Sequence, residues 1–125
     1  MKFFITGGLG FIGTNLIKFL LEEYDHEILN VDKVTYASNF DYSKNFSSNK
    51  LYNFVKGDIC DKDLIRKTLD DFNPDFIMNL AAESHVDKSI SGPEDFINTN
   101  ILGTFNLLEN TRDYWNKLSR EKRKN

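Results

Sequence analysis

The chain has one cysteine, two prolines and two histidines in 125 residues. The single Cys60 excludes an internal disulfide, and without a second thiol it excludes a cysteine zinc site as well. It reads as a small, half-buried residue of a protein kept in a reducing compartment, the cytosol. Positive charge is not in excess either: 16 Lys and Arg face 19 Asp and Glu, for a net charge of −3 and a pI near 5.3. That balance lacks the footprint of a nucleic-acid partner. The one dense basic run, the tail "SREKRKN", reads as a solvated terminus. Glu83 and His85, two apart, do not make a metal site.

Long apolar runs are missing too. The opening "FFITGGLGFIGTNLIKFLL" is broken by Thr6, four glycines, Thr14, Asn15 and Lys18, and "EEYDHE" follows it. A secretory signal needs an unbroken apolar stretch with a small-residue cleavage site after it. A membrane span needs about 18 to 20 apolar residues. Neither is expected here. The length suits one domain and is short for an enzyme with separate cofactor and substrate domains.

What is present is alternation. Short apolar runs at 2–6, 28–32, 52–57 and 75–82 predict buried strands. Between them, 11–23, 61–72 and 93–118 predict helices. In the first, Phe11, Ile12, Leu16, Phe19 and Leu20 recur at helical spacing. The second has Asp61 or Asp63 as its cap and an apolar face of Leu64, Ile65, Thr68, Leu69 and Phe72, and Asn73-Pro74 stops it. In the third, Pro93 suits the first turn, and Phe96, Ile97, Ile101, Phe105, Leu108 and Trp115 lie along one broad stripe. Residues 33–50 read as a long polar loop with room for one helical turn, and 83–92 as a second loop. Strands alternating with helices predict an α/β domain: a Rossmann-type, doubly wound parallel sheet of about four strands over residues 1–125.

The glycines of "TGGLGFIG", residues 6 to 13, fall where the first strand becomes the first helix. A helix N-terminus carries unpaired N–H groups and positive partial charge, and suits a phosphate if no side chain blocks the backbone. Gly8-Leu9-Gly10-Phe11-Ile12-Gly13 spells G-x-G-x-x-G, while Gly7, Gly10 and Gly13 are spaced three apart. Both readings give one glycine for the turn, one for close approach of a pyrophosphate and one for helix–strand packing. Asp32 ends the second strand about 20 residues on, as the dinucleotide fingerprint requires. It can accept from both hydroxyls of an adenosine ribose and would repel a 2′-phosphate, which selects NAD over NADP. The neighbouring Lys33 weakens that exclusion slightly.

These residues carry a specific resemblance. "TGGLGFIG" resembles the T-G-x-x-G-x-x-G of the extended short-chain dehydrogenase/reductases. "NVDKVTYASN", "GDIC", "NLAAESHVDKSI", "GPEDFINTNILGT" and "LLENTRDYW" resemble, in order, blocks of the dTDP-glucose 4,6-dehydratase family within it. The resemblance implies that Phe11 and Ile12 lie along the pyrophosphate of NAD. Asp32, Lys33, Val34 and Thr35 would surround the adenosine ribose, and Asp58 and Ile59 would edge the adenine. Leu80, Ala81, Ala82, Glu83 and Ser84 would pass under the nicotinamide half, with Thr99 closing the site from the long helix. Ser84 also resembles a contact to the nucleotide-sugar substrate. His85 invites a general-base reading, but it follows the cofactor loop, and the family's base lies elsewhere. Three positions depart from the family pattern: Ser38 for glycine, Lys88 for arginine and Asn79 for histidine.

The family's redox lyase chemistry needs a Tyr-x-x-x-Lys pair and an Asp-Glu acid/base pair. Both are expected beyond residue 125, so the resemblance implies a cofactor-holding part that is inactive alone. Tyr52 and Lys56 do spell Y-x-x-x-K, but on a predicted strand. A missing fifth strand would leave the outer edge of "FIMNLAA" open, and faces of the long helix exposed. The complete family is expected to be homodimeric, and a fragment with such faces to self-associate. Two alternatives stay open: a free-standing dinucleotide-binding module that pairs with a partner chain, and the cofactor half of a related sugar-nucleotide epimerase or dehydratase.

Overall fold

The computed structural model describes residues 1–125 apart from Ala37, Arg120 and Asn125; of Phe40, Val86, Lys88 and Lys124 it describes the backbone alone. The four predicted strands form as β1 (Lys2–Thr6), β2 (Glu27–Asp32), β3 (Tyr52–Lys56) and β4 (Phe76–Asn79). All pair in parallel, in the order β3-β2-β1-β4. The chain therefore steps outward from β1 through β2 to β3, then returns to lay β4 on the other side of β1. Such a reversal opens a crevice at the carboxyl ends of the central strands.

Alternate side chains of each strand feed opposite faces of the sheet. Phe4, Leu29 and Val31 point into one core, closed by Ile65, Leu69 and Phe72 of α3 (Lys62–Phe72) and by Leu107 and Tyr114. Ile5 and Ile28 point into the other, closed by Ile17 and Leu20 of α1 (Phe11–Glu23) and by Phe46. Residues 33–51 hold the short α2 (Phe40–Ser43) and otherwise turns. The Asp61 side chain caps α3 by accepting from the Leu64 N–H at 3.0 Å. Asn73 ends it in the left-handed region at φ 56°, donating its N–H to Leu69 O.

Three expectations change in detail. β4 stops at Asn79, not Ala82, because its partner β1 stops at Thr6: Leu80 makes the last link, N–H to Thr6 O at 3.0 Å, before β1 turns away at Gly7. Residues read as a loop include a six-residue helix, α4 (Val86–Ser91). The long helix is present, but in three parts: α5 (Pro93–Phe96), a π-helical turn (Ile97–Gly103) and α6 (Thr104–Lys117). π-turns are rare in helices and gather at functional sites.

The buried faces of two helices also differ from the expected stripes. In α1 the buried residues are Gly13, Thr14, Ile17 and Leu20, while Phe11, Ile12 and Phe19 are exposed. In the long helix Gly103, Leu107, Asn110 and Tyr114 are buried, and Ile97, Ile101, Phe105, Leu108 and Trp115 are about half exposed or more. The small Gly103 fixes this choice: a Cβ there would lie 2.6 Å from Ile59 Cγ1. The Tyr114 hydroxyl locks the far end, 2.7 Å from Asn73 Oδ1 and 2.9 Å from Pro74 O. The outer edge of β4 carries the exposed Phe76 and Met78.

Candidate functional site: the cleft at the strand ends

A cleft of about 100 Å³, open to solvent, runs along the carboxyl ends of all four strands. Its floor is the glycine turn. Gly7 sits at φ +69° and donates to Val31 O at 3.0 Å, and its carbonyl accepts from Gly10 N at 3.1 Å. Gly13 packs against this turn, where a Cβ would lie 2.4 Å from Gly7 O. Gly10 differs: a Cβ there would meet only Gly7 O, at 3.3 Å, and the residue lines the cleft. So Gly7 and Gly13 are small for the protein's own backbone, and Gly10 leaves room on the cleft side.

Asp32 stands at the end of β2, buried, and its carboxylate organises the surrounding loops. Oδ2 accepts from the Leu9 N–H at 2.9 Å, and Oδ1 from the Val34 N–H at 2.7 Å. The Ser38 hydroxyl donates to Oδ1 at 3.3 Å and accepts from the Thr35 N–H at 3.0 Å. Val34 is held at φ 60°, an unusual state for a β-branched residue. Asn39 N–H donates to Leu9 O at 2.7 Å and ties the polar loop to the glycine turn a second time. Ser38, a departure from the family glycine, is thus a working part of this loop.

Sequence reasoning missed the residues beneath and beside the turn. Asn30 is fully buried; its Oδ1 accepts from the Gly8 N–H at 3.0 Å and its Nδ2 donates to the Tyr52 hydroxyl at 2.9 Å. Asn100, in the π-turn, makes two 2.9 Å bonds to Glu83, accepting from its N–H and donating to its carbonyl. They fix the 80–85 loop beside Thr99. Asn79, the second departure, accepts from the Thr6 hydroxyl at 2.5 Å and donates to the Thr104 hydroxyl at 3.4 Å. The third departure falls on the Lys88 side chain, which lies outside the described residues.

Of the residues singled out by sequence, the cleft brings together Gly7, Gly10, Asp32, Lys33, Thr35, Asp58, Ile59, Leu80, Ala81, Ala82, Glu83 and Thr99. Phe11 and Ile12 stand at the start of α1, 80% and 68% exposed, rather than on the cleft wall. Gly13 and Val34 support the turn and the loop behind the wall. Ser84 is exposed beyond Glu83, where the lining ends.

Cys60 is exposed, not half-buried; its Sγ donates to Asn98 O at 3.2 Å. Partial burial and the Asp58 carboxylate push its thiol up, away from a reactive thiolate. Tyr52 lies on β3, and burial pushes its phenol up, the wrong direction for a base, so the Tyr52/Lys56 pair stays a coincidence of spelling. Among the described residues no group of three or more His, Cys, Asp or Glu side chains could hold a metal ion, and no helix is long and apolar enough to cross a membrane.

The family model described as GDP-mannose 4,6 dehydratase matches residues 4–124. The chain belongs to this dehydratase family. The dTDP-glucose 4,6-dehydratase of Salmonella typhimurium is 46% identical over 125 residues, all of this chain and 35% of that protein. DesIV, a dTDP-glucose 4,6-dehydratase of Streptomyces venezuelae solved with NAD bound, superposes with a TM-score of 0.86 at 37% identity, covering 91% of this chain and 36% of that one. The UDP-glucose 4-epimerase of Thermus thermophilus, a complex with NAD, gives 0.78 at 29% identity, covering 91% and 34%. The chain thus spans about a third of the length of the dehydratases it matches.

Proposed function

We propose that this chain is the NAD-holding N-terminal portion of a dTDP-glucose 4,6-dehydratase, a single Rossmann-type domain over residues 1–125. The observation that carries the reading is the open face of Gly10, set between two glycines that the protein's own backbone crowds. That arrangement lets a pyrophosphate reach the N-terminal amides of α1, with Phe11 and Ile12 alongside. Asp32, Lys33, Val34 and Thr35 take the adenosine ribose, and Asp58 and Ile59 the adenine. The 80–84 loop, held by Asn100, carries the nicotinamide half, and Thr99 closes it. Bound NAD supplies a hydride acceptor for a sugar carbon and later the donor that returns it. The residues of this chain bind and orient it; no Tyr-x-x-x-Lys pair stands on a helix among the described residues, so the chain alone is not expected to turn over dTDP-glucose to the 4-keto-6-deoxy product. Ser84, exposed where the cleft ends, meets the nucleotide-sugar in this reading. A reducing, cytoplasmic setting fits the exposed lone thiol.

Calorimetric titration tests the reading. Gly10→Val is expected to keep the circular dichroism spectrum and to weaken NAD at least about tenfold, since a branched side chain occupies the space left for the pyrophosphate. Unchanged NAD affinity in Gly10→Val would overturn it.

The exposed stripe of Ile97, Ile101, Phe105 and Leu108, with the bare edge of β4, supports self-association. Sedimentation velocity is expected to show association that grows with concentration and weakens in Phe105→Lys. A single monomeric species throughout the range would refute this part.

A further inference from the structure

Lys33 is the residue of the cleft that favours the wrong cofactor. It follows Asp32 directly and lines the cleft beside it. A cation at the end of the second strand is what accommodates a 2′-phosphate in dinucleotide sites. Here the ammonium is already engaged: Lys33 Nζ lies 2.7 Å from Asp58 Oδ2. Asp58 comes from the end of the neighbouring strand, β3, and is itself anchored, because its Oδ1 accepts from the Cys60 N–H at 2.9 Å. The carboxylate is the more buried partner, at 29% side-chain exposure against 60% for the lysine, so the loop places the acid and the lysine reaches to it.

We infer that Asp58 is a specificity-determining residue: by holding the Lys33 ammonium across the β2–β3 strand ends, it keeps that charge from pairing with a 2′-phosphate and so preserves the preference of Asp32 for NAD. The inference rests on reading the cleft as a dinucleotide site. Titration directions agree with the geometry. The hydrogen bond to Asp58 raises the Lys33 amine, against the opposing effect of its partial burial. Partial burial works against ionisation of Asp58, but the Lys33 ammonium and the Cys60 N–H together outweigh it and hold the carboxyl below its usual value. Both groups are therefore charged across the neutral range, and the pair is closed where cofactor binds.

The test is the ratio of NADP to NAD dissociation constants, by calorimetry, in the wild-type chain, in Asp58→Asn, and in Asp58→Asn combined with Lys33→Ala. The asparagine side chain keeps an acceptor for the Cys60 N–H but cannot hold the ammonium as an ion pair. The ratio is expected to fall about five- to tenfold in Asp58→Asn, the lower end reflecting the exposure of Lys33. It should return to the wild-type value in the double variant, and the gain should shrink at high salt. Any loss of adenine contact common to both cofactors cancels in the ratio. Asp58→Ser, which also keeps an acceptor, serves if Asp58→Asn does not fold. An unchanged ratio with NAD still bound overturns the inference, as does a shift that survives Lys33→Ala. A wild-type chain that binds neither dinucleotide overturns the cofactor reading itself, and this inference with it.

Discussion

Gly7→Ala is expected to lower stability by about 3 kcal/mol or more, a large share of what holds a domain of this size folded. Two costs add. At φ +69° an alanine pays left-handed strain of about 1–2 kcal/mol. Its Cβ would also lie 2.4 Å from Ala81 N and 2.6 Å from Ala81 Cα and Leu80 C. Those are main-chain atoms, so no side-chain rotation relieves the contact, and overpacking adds about 1–3 kcal/mol. Nor can the turn retreat. Gly7 N–H is bonded to Val31 O on one side, and Leu80 N–H to Thr6 O holds the loop after β4 on the other. Urea unfolding followed by far-UV circular dichroism reads the effect. A midpoint equal to that of wild type would show that the turn is looser than its geometry indicates. Gly10→Val is the expected contrast: its Cβ meets the protein only at Gly7 O, 3.3 Å away, so it should cost the fold far less and act mainly on the ligand. One motif therefore holds two kinds of glycine, separable by experiment.

The local structure around these glycines was legible in the sequence. The spacing of Gly7, Gly10 and Gly13 after a short apolar run, with Asp32 at the next strand end, fixed the strand–turn–helix and the cleft above it. Order and type of all four strands were legible because each is a short apolar run bounded by polar or glycine residues. Faces of helices were harder. In α1, Phe11, Ile12, Leu16, Ile17, Phe19, Leu20 and Leu21 surround the axis, so periodicity alone does not say which side meets the sheet. Ile17 and Leu20 won because Gly13, one turn earlier, lets the helix close on the glycine turn. In the long helix Gly103 made the same choice against Ile59, turning the most apolar stripe outward. Both helices pivot on a glycine whose partner is distant in sequence.

The same distance hid Asn30 and Asn100, and hid what Ser38, singled out only as a departure, bonds to. Each looks like an ordinary polar residue in its own segment. Each acquires its role from a loop brought close by the fold: Asn30 from Gly8, Ser38 from Asp32 and Thr35, Asn100 from Glu83. The α4 helix escaped notice because 86–91 is too short for the single Val86/Ile90 spacing to count as a period; it lies between the Asn100-bound loop and Pro93.

Asp32 was read as a ligand for ribose, and its contacts predict something further. Asp32→Ala should lose NAD affinity and fold stability together. With the carboxylate gone, the N–H groups of Leu9 and Val34 lose their acceptor in a buried setting, and the Ser38 hydroxyl loses one of its partners. Hydrogen bonds to a charged group contribute about 1.5–3 kcal/mol each, and stranded buried donors cost a similar amount. Solvent reaching the emptied site offsets part of this, which leaves an expected loss of about 2–4 kcal/mol. The left-handed Val34 loses the bond that holds it, so the 33–39 loop should also become more accessible to proteolysis. Asp32→Asn keeps one acceptor and should fall between wild type and alanine in stability. Thermal unfolding, limited proteolysis and NAD titration on the three proteins separate the roles. If Asp32→Ala melted with wild type and lost only NAD, the carboxylate would be a ligand alone. If both properties fall in step from wild type through asparagine to alanine, one buried carboxylate holds the cofactor and the loop that frames it.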